Sequence, residues 1–173
     1  RLEDLGGLSL ISKKIKFSKS TQELFKSIGR ETSWFTKNFP ARRQPDIWLI
    51  YFIALLKGLT LGQIKEIIQR LGLGKGDEKR IISYSKINQK SIRGLSNKQV
   101  EPAQIFSFFE PLSYEVIILL RACAHNRILK KHIADFLEIY NGMRLYISGD
   151  DLAGLGVLPG PGYRKIFAKV LAA

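Results

Sequence analysis

The chain has 173 residues, enough for one domain with a real core or for two small helical lobes in series, and its 45% hydrophobic and 25% charged shares are those of a folded globule rather than a disordered segment. Lys and Arg number 28 against 15 Asp and Glu, a formal net charge of +13 with a pI near 10.0, and such a field attracts polyanions, so nucleic acid is the leading expected partner. The longest apolar run, Ile47 to Leu56, is about half a bilayer span and reads as a core helix; with no secretory signal, no lipidation motif and a single cysteine, Cys123, the expectation is a cytoplasmic chain with no membrane partner and no internal disulfide. The sequence opens on Arg1 and its only methionine is Met143, so a fragment of something longer is expected.

Taken in order, the elements are helices. Thr21 to about Asn38 carries Leu24, Phe25, Ile28, Trp34 and Phe35 at helical spacing, with Ser20 or Thr21 as cap. Pro45 and Asp46 open the apolar helix of Trp48, Tyr51 and Phe52, which Gly58 closes. Thr60 and Gln63 form a capping-box pattern ahead of Ile64, Ile67, Ile68 and Leu71, and Gly72 ends that helix. Leu73 to Asp77 reads as a short linker. A helix is then expected from Asp77 to about Leu95, and Pro102 and Pro111 sit at the first turns of two more, Ala103 to Phe109 and Leu112 to Ala124. Asn126 caps Arg127 to Tyr140, and Asn141-Gly142 stops it. Apart from a brief alternation over Met143 to Ile147, period two is missing. The fold class is all-α, a multi-helix bundle in two consecutive lobes, 1–75 and 76–173.

Two constellations point to chemistry. On a helix from Asp77 to Leu95, Lys79, Lys86, Lys90 and Arg93 fall within an arc of roughly 60°, and Ile81, Tyr84, Ile92 and Leu95 gather opposite. From Lys79 through Val100 there is no Asp or Glu, whereas a plain solvated face interleaves both signs; four like charges on one face repel unless an anion lies along them. Arg80 and Lys98 extend the basic segment. The second constellation is the run from Ser148, where Ser148 or Asp150 caps a short helix, Gly154 and Gly156 break it, and Pro159-Gly160-Pro161-Gly162 turns into a last helix from about Tyr163. This is a helix-hairpin-helix pattern, whose backbone N–H groups at Gly162, Tyr163 and Arg164 are placed to hold a phosphate. Arg164 and Lys165 in a first turn oppose the helix dipole unless an anion binds there. The expected RNA-binding set is therefore Lys79, Arg80, Lys86, Lys90, Arg93, Lys98, Gly160, Gly162, Tyr163, Arg164 and Lys165.

Catalytic patterns are weak. Asp150 and Asp151 occupy a cap position, and His125 and His132 have no accompanying ligands at metal spacing. Cys123 has no catalytic partners and reads as a buried structural thiol. Trp48, Tyr51, Phe52, Phe106, Phe108 and Phe109 read as core. No catalytic or metal-binding residue is assigned, and the residues alone leave three readings: an RNA grip, a helix-hairpin-helix DNA-binding module of a repair or replication protein, and a helical scaffold whose charge serves solubility.

Residues 1–17, RLEDLGGLSLISKKIKF, resemble the passage that follows the catalytic head in class II tRNA nucleotidyltransferases and bacterial poly(A) polymerase-like enzymes. The ending is similar to the C-terminal signature of the same family through Gly149, Asp151, Leu152, Leu155, Gly156, Pro159, Gly160, Pro161, Tyr163 and Ile166, with Arg164 as a basic equivalent. The resemblance covers essentially the whole chain. It implies a parent enzyme that adds all or part of the CCA end to tRNA, in which these neck/body (1–75) and tail (76–173) helices hold the tRNA. An N-terminal catalytic head of the same polypeptide would then perform two-metal nucleotidyl transfer with Mg2+. The head's GGxVRD and DxD motifs do not occur here; the chain alone is expected to be non-catalytic and without a cofactor, with tRNA and the head as partners. Gly162 departs from the family, which often has a larger residue there.

Overall fold

Helix punctuation that is local in sequence accounts for most of what is seen in the computed structural model, which describes residues 11, 12, 15, 17–142 and 148–172, without the side chains of 164, 165, 167, 168, 171 and 172. The first long helix, α1 (Lys19–Asn38), begins two residues earlier than its apolar spacing predicts. Ser18 is the cap: its Oγ accepts the Thr21 N–H at 3.2 Å, and its own N–H donates to Thr21 Oγ1 at 3.4 Å. α2 (Ile47–Leu55) is apolar on every side and buries Leu49, Ile50, Ile53 and Ala54. α3 (Leu61–Arg70) opens on the expected Thr60–Gln63 box. It closes in a Schellman motif, with Gly72 at φ +63° and the Leu73 N–H donating to Ile68 O at 3.1 Å.

The segment expected as a linker and one long helix is built differently. α4 (Lys75–Ser85) starts inside the supposed linker, so Gly76 is helical, with Asp77 and Glu78 in its first turn where they complement the dipole. It stops well short of Leu95. Ser83 and Ser85 hydroxyls donate to the Arg80 and Ile82 carbonyls at 2.7 and 2.8 Å, and Asn88 leaves the helical region to cap a new helix, its Oδ1 accepting the Lys90 N–H at 2.8 Å. Short polar side chains that satisfy the backbone locally compete with helix continuation. The second piece is α5 (Gln89–Gly94).

α6 (Pro102–Phe109) has its proline at the first position, as expected. α7 (Tyr114–Cys123) is the central helix, with seven of its ten residues buried, Glu115 among them. α8 (Arg127–Asp135), capped by Asn126, runs into a π turn over Phe136–Tyr140, where the Asn141 N–H donates to Phe136 O at 2.6 Å. Gly142 at φ +96° then takes the chain away. α9 (Gly149–Gly154) and α10 (Pro161–Ala172) form the terminal hairpin. The alternation over 143–147 lies outside the described residues.

One core serves both halves of the chain. Ile28, Leu49 and Ile67, from before residue 75, meet Ile81, Phe109 and Ile117, from after it, and α7 packs chiefly on α1 and α2. The division at residue 75 therefore follows the chain and not the packing. α10 lies against α6. Among the described residues no single helix is long and apolar enough to cross a membrane. Of the aromatic residues expected in the core, Phe109 is fully buried, Tyr51, Phe52, Phe106 and Phe108 are half-buried against it, and Trp48 is corrected to the surface at 50% exposure. Its ring stands in the first turn of α2, 6.1 Å from the Phe52 ring centre, beside the likewise exposed Ile47.

Candidate nucleic-acid interface

The cations of this chain divide by partner. Glu115, placed by α7 with its side chain fully buried, accepts a bidentate pair from Arg43 (Nη1 to Oε1 2.9 Å, Nη2 to Oε2 3.0 Å), the Asp46 N–H at 2.9 Å and Arg80 Nη1 at 3.0 Å. Arg80 also reaches Asp46 and Asp77. Burial alone would push the Glu115 carboxyl up; the Arg43 guanidinium and the Asp46 N–H reverse this and hold it down to about 2. A second buried carboxylate, Glu31 of α1, takes Arg121 and Lys130 at 2.6 Å each, and the Arg121 guanidinium lies 3.6 Å above the Trp34 ring centre. Arg42 donates to the Leu137 and Asn141 carbonyls at 2.9 and 3.0 Å and so closes the π turn.

Among the RNA-binding residues expected from sequence, Arg80 is thus an interior tether between α4, the start of α2 and α7, and its charge is already matched. The others in that segment differ. Lys79, Lys86, Lys90, Arg93 and Lys98 are all exposed, with no acidic partner within ion-pair distance among the described residues. They do not form a stripe on one helix, because the helix breaks at residues 86–88. Lys79 stands on α4, Lys86 at its C-terminal cap, Lys90 and Arg93 on α5, and Lys98 beyond it. The apolar side keeps its expected place, with Ile81 and Leu95 buried and Tyr84 and Ile92 half-buried.

At the terminal hairpin Ser148 is the cap of α9, and Asp151 answers it: Oδ2 accepts the Ser148 N–H and hydroxyl, both at 2.7 Å, which holds the Asp151 carboxyl below the usual range. α9 ends in a second Schellman motif on Gly156, at φ +78°. α10 begins at Pro161, earlier than expected, which alters the donor set. The Tyr163 N–H already donates to Gly160 O at 3.0 Å and its hydroxyl to Val157 O at 2.7 Å, so Tyr163 staples the hairpin and its N–H is withdrawn from phosphate duty. A Cβ added at Gly160 or Gly162 would meet open space, consistent with a larger residue being admissible at position 162. The side chains of Arg164 and Lys165 lie outside the described residues.

The two histidines part company: His132 is buried with Nδ1 2.9 Å from Leu95 O, and His125 is exposed. Cys123, expected buried, is half-exposed, 3.8 Å from Lys57 Nζ and 4.0 Å from the Tyr84 hydroxyl. Burial and the neighbouring thiol push the Tyr84 phenol up. Among the described residues no three His, Cys, Asp or Glu side chains converge as a metal site requires. The Arg43–Glu115–Arg80 tether was not anticipated from sequence, although a single carboxylate inside the run Tyr114 to Leu120 signals a buried charge that needs partners.

No family model matches the chain. All of it aligns with an A-adding tRNA nucleotidyltransferase of Geobacter sulfurreducens at 23% identity over 178 residues, or 20% of that protein's length. The chain is thus similar in sequence, along its whole length, to part of a tRNA nucleotidyltransferase. Solved structures share its fold: a CCA-adding enzyme with ATP superimposes with a TM-score of 0.77 at 17% identity, over 99% of this chain and 40% of that one. A tRNA-processing enzyme in an apo form superimposes with a TM-score of 0.70 at 15% identity, over 99% and 43%. The chain thus spans about a fifth of the curated relative and about two fifths of the solved ones.

Proposed function

We propose that this chain is the tRNA-holding part of a cytoplasmic tRNA nucleotidyltransferase: it binds and positions tRNA, while a catalytic head of the same polypeptide adds nucleotides to the 3′ end. The observation that carries the reading is the segregation of charge. The buried carboxylates Glu115 and Glu31 each have cationic partners, yet the exposed Lys79, Lys86, Lys90, Arg93 and Lys98, on α4, α5 and just beyond, have no acidic partner among the described residues. Unmatched surface cations gain most by displacing counterions from a phosphate backbone. The similarity to an A-adding tRNA nucleotidyltransferase supports tRNA as the polyanion. In this reading the hairpin around Gly160, Gly162, Arg164 and Lys165 contacts one or two phosphates of the folded tRNA arm and so reads its shape, while the basic segment supplies general attraction.

Binding of the 173-residue chain to tRNA, duplex DNA and heparin across a salt series tests this. The expected result is a preference for tRNA, with affinity falling steeply as salt rises. Equal affinity for all three would overturn the tRNA assignment, and a preference for duplex DNA would return the helix-hairpin-helix DNA reading. The same sample is expected to incorporate no ATP or CTP into tRNA.

A further inference from the structure

A groove of about 780 Å3 lies between the first half of α1, the turn after α2 and the α7–α8 connection, and it adjoins α4 where the Tyr84 hydroxyl comes within 4.0 Å of the Cys123 thiol. Among the described residues its walls carry Arg30, Lys57, His125 and Lys130 against a single acid, Glu23. Lys130 is held by Glu31, but Arg30 and Lys57 are exposed with no acidic partner among the described residues. Among the described residues Lys57 Nζ has the Cys123 thiol as its partner, at 3.8 Å, a weak acceptor for an ammonium. Ser18, Ser20 and Thr21 also line the groove, their hydroxyls bonded to one another at 2.7 and 3.1 Å in the cap of α1, so what the groove offers is positive charge in a concave site where fields are focused. An apolar ligand would meet charge here, and a cation would meet repulsion.

We propose that this groove holds a stretch of RNA phosphate backbone, a second contact region distinct from the α4–α5 segment and resting on the reading of the chain as a tRNA grip. The phosphates would sit between Arg30 and Lys57 and would cover the Cys123 thiol.

Cys123 is the only cysteine of the chain and lines the groove, so its alkylation by a maleimide reports occupancy directly. Tight tRNA binding, followed separately by filter retention, is expected to slow that alkylation at least tenfold, and ATP at millimolar concentration is expected to leave it unchanged. In the Arg30→Ala/Lys57→Ala variant, whose far-ultraviolet circular dichroism checks the fold, tRNA should still bind through the α4–α5 segment but protect Cys123 less than threefold; the ratio with and without tRNA cancels the altered intrinsic thiol reactivity. Retained tRNA with an unchanged alkylation rate would overturn the groove and spare the tRNA reading. Protection by ATP alone would overturn it in favour of a mononucleotide site, and equal protection in the double variant would show that Arg30 and Lys57 do not hold the phosphates. Absence of any tRNA binding would remove both proposals together.

Discussion

The tether around Glu115 and the basic segment of α4–α5 both contain cations contributed by α4, and they behave as different materials. Arg80 and Lys79 are neighbours in sequence, yet one side chain turns inward to Asp46, Asp77 and Glu115, and the other is exposed with no acidic partner among the described residues. The difference teaches that net charge is a poor guide to which cations are available for binding. An interior guanidinium is committed by the desolvation of its carboxylate: once Glu115 is buried, its lone pairs must be filled from Arg43, Arg80 and the Asp46 N–H, or the carboxylate costs several kcal/mol. An exposed ammonium is hydrated, holds only small counterions, and yields them readily to a polyanion.

Removal of the interior carboxylate separates the two kinds of cation most strongly. Glu115→Ala is expected to destabilise the fold by about 3 kcal/mol, the low end for a broken buried pair, because Arg43 is half-exposed and can be rehydrated while Arg80 keeps Asp46 and Asp77. In a chain of this size that is a fall in Tm of roughly 6–12 °C, with the salt dependence of RNA binding unchanged. If stability held while the salt slope fell, the two roles would have to be exchanged. Acid titration sharpens the same point. A carboxyl whose folded value is lowered from 4.5 to about 2 contributes stability that is fully present above the unfolded value and is lost as pH falls through the folded one. Urea unfolding between pH 4.5 and 2 should therefore show the parent losing about 3 kcal/mol more than Glu115→Gln.

The complementary prediction concerns the outside. Replacing Lys79, Lys86, Lys90 and Arg93 together by Gln is expected to change stability by no more than about 0.5 kcal/mol per site, yet to flatten the salt slope of tRNA binding by roughly 0.7–0.9 for each phosphate that is no longer neutralised. Calorimetry and a salt series on one preparation would measure both. Arg164→Ala with Lys165→Ala should flatten the slope less but narrow the preference for folded tRNA over an unstructured RNA of equal length. The smallest effect on binding is expected at Gly142, where φ is +96°: Gly142→Ala should leave RNA binding as it was and cost about 1 kcal/mol in thermal unfolding, from backbone strain alone.

What the sequence determined by itself is what depends on neighbours within a helical turn or two. The Thr60–Gln63 box, the proline opening α6, the Asn126 cap, the glycine stops at 72 and 142 and the apolar side formed by Ile81 and Leu95 were all legible, because caps and apolar periodicity act over three or four residues. The excess of positive charge was legible too. Where that charge is available depends on packing between segments far apart in the chain. Arg43 and Arg80 reach a carboxylate 72 and 35 residues away, and no local pattern marks them off from Lys79. The continuous basic stripe failed for a related reason: periodicity assigns faces to an unbroken helix, whereas Ser83, Ser85 and Asn88 divert the backbone hydrogen bonds that such a helix would need. The groove between α1, the turn after α2 and the α7–α8 connection has no signature in sequence at all, since Arg30, Lys57 and Cys123 come together only when α1 and α2 pack on α7.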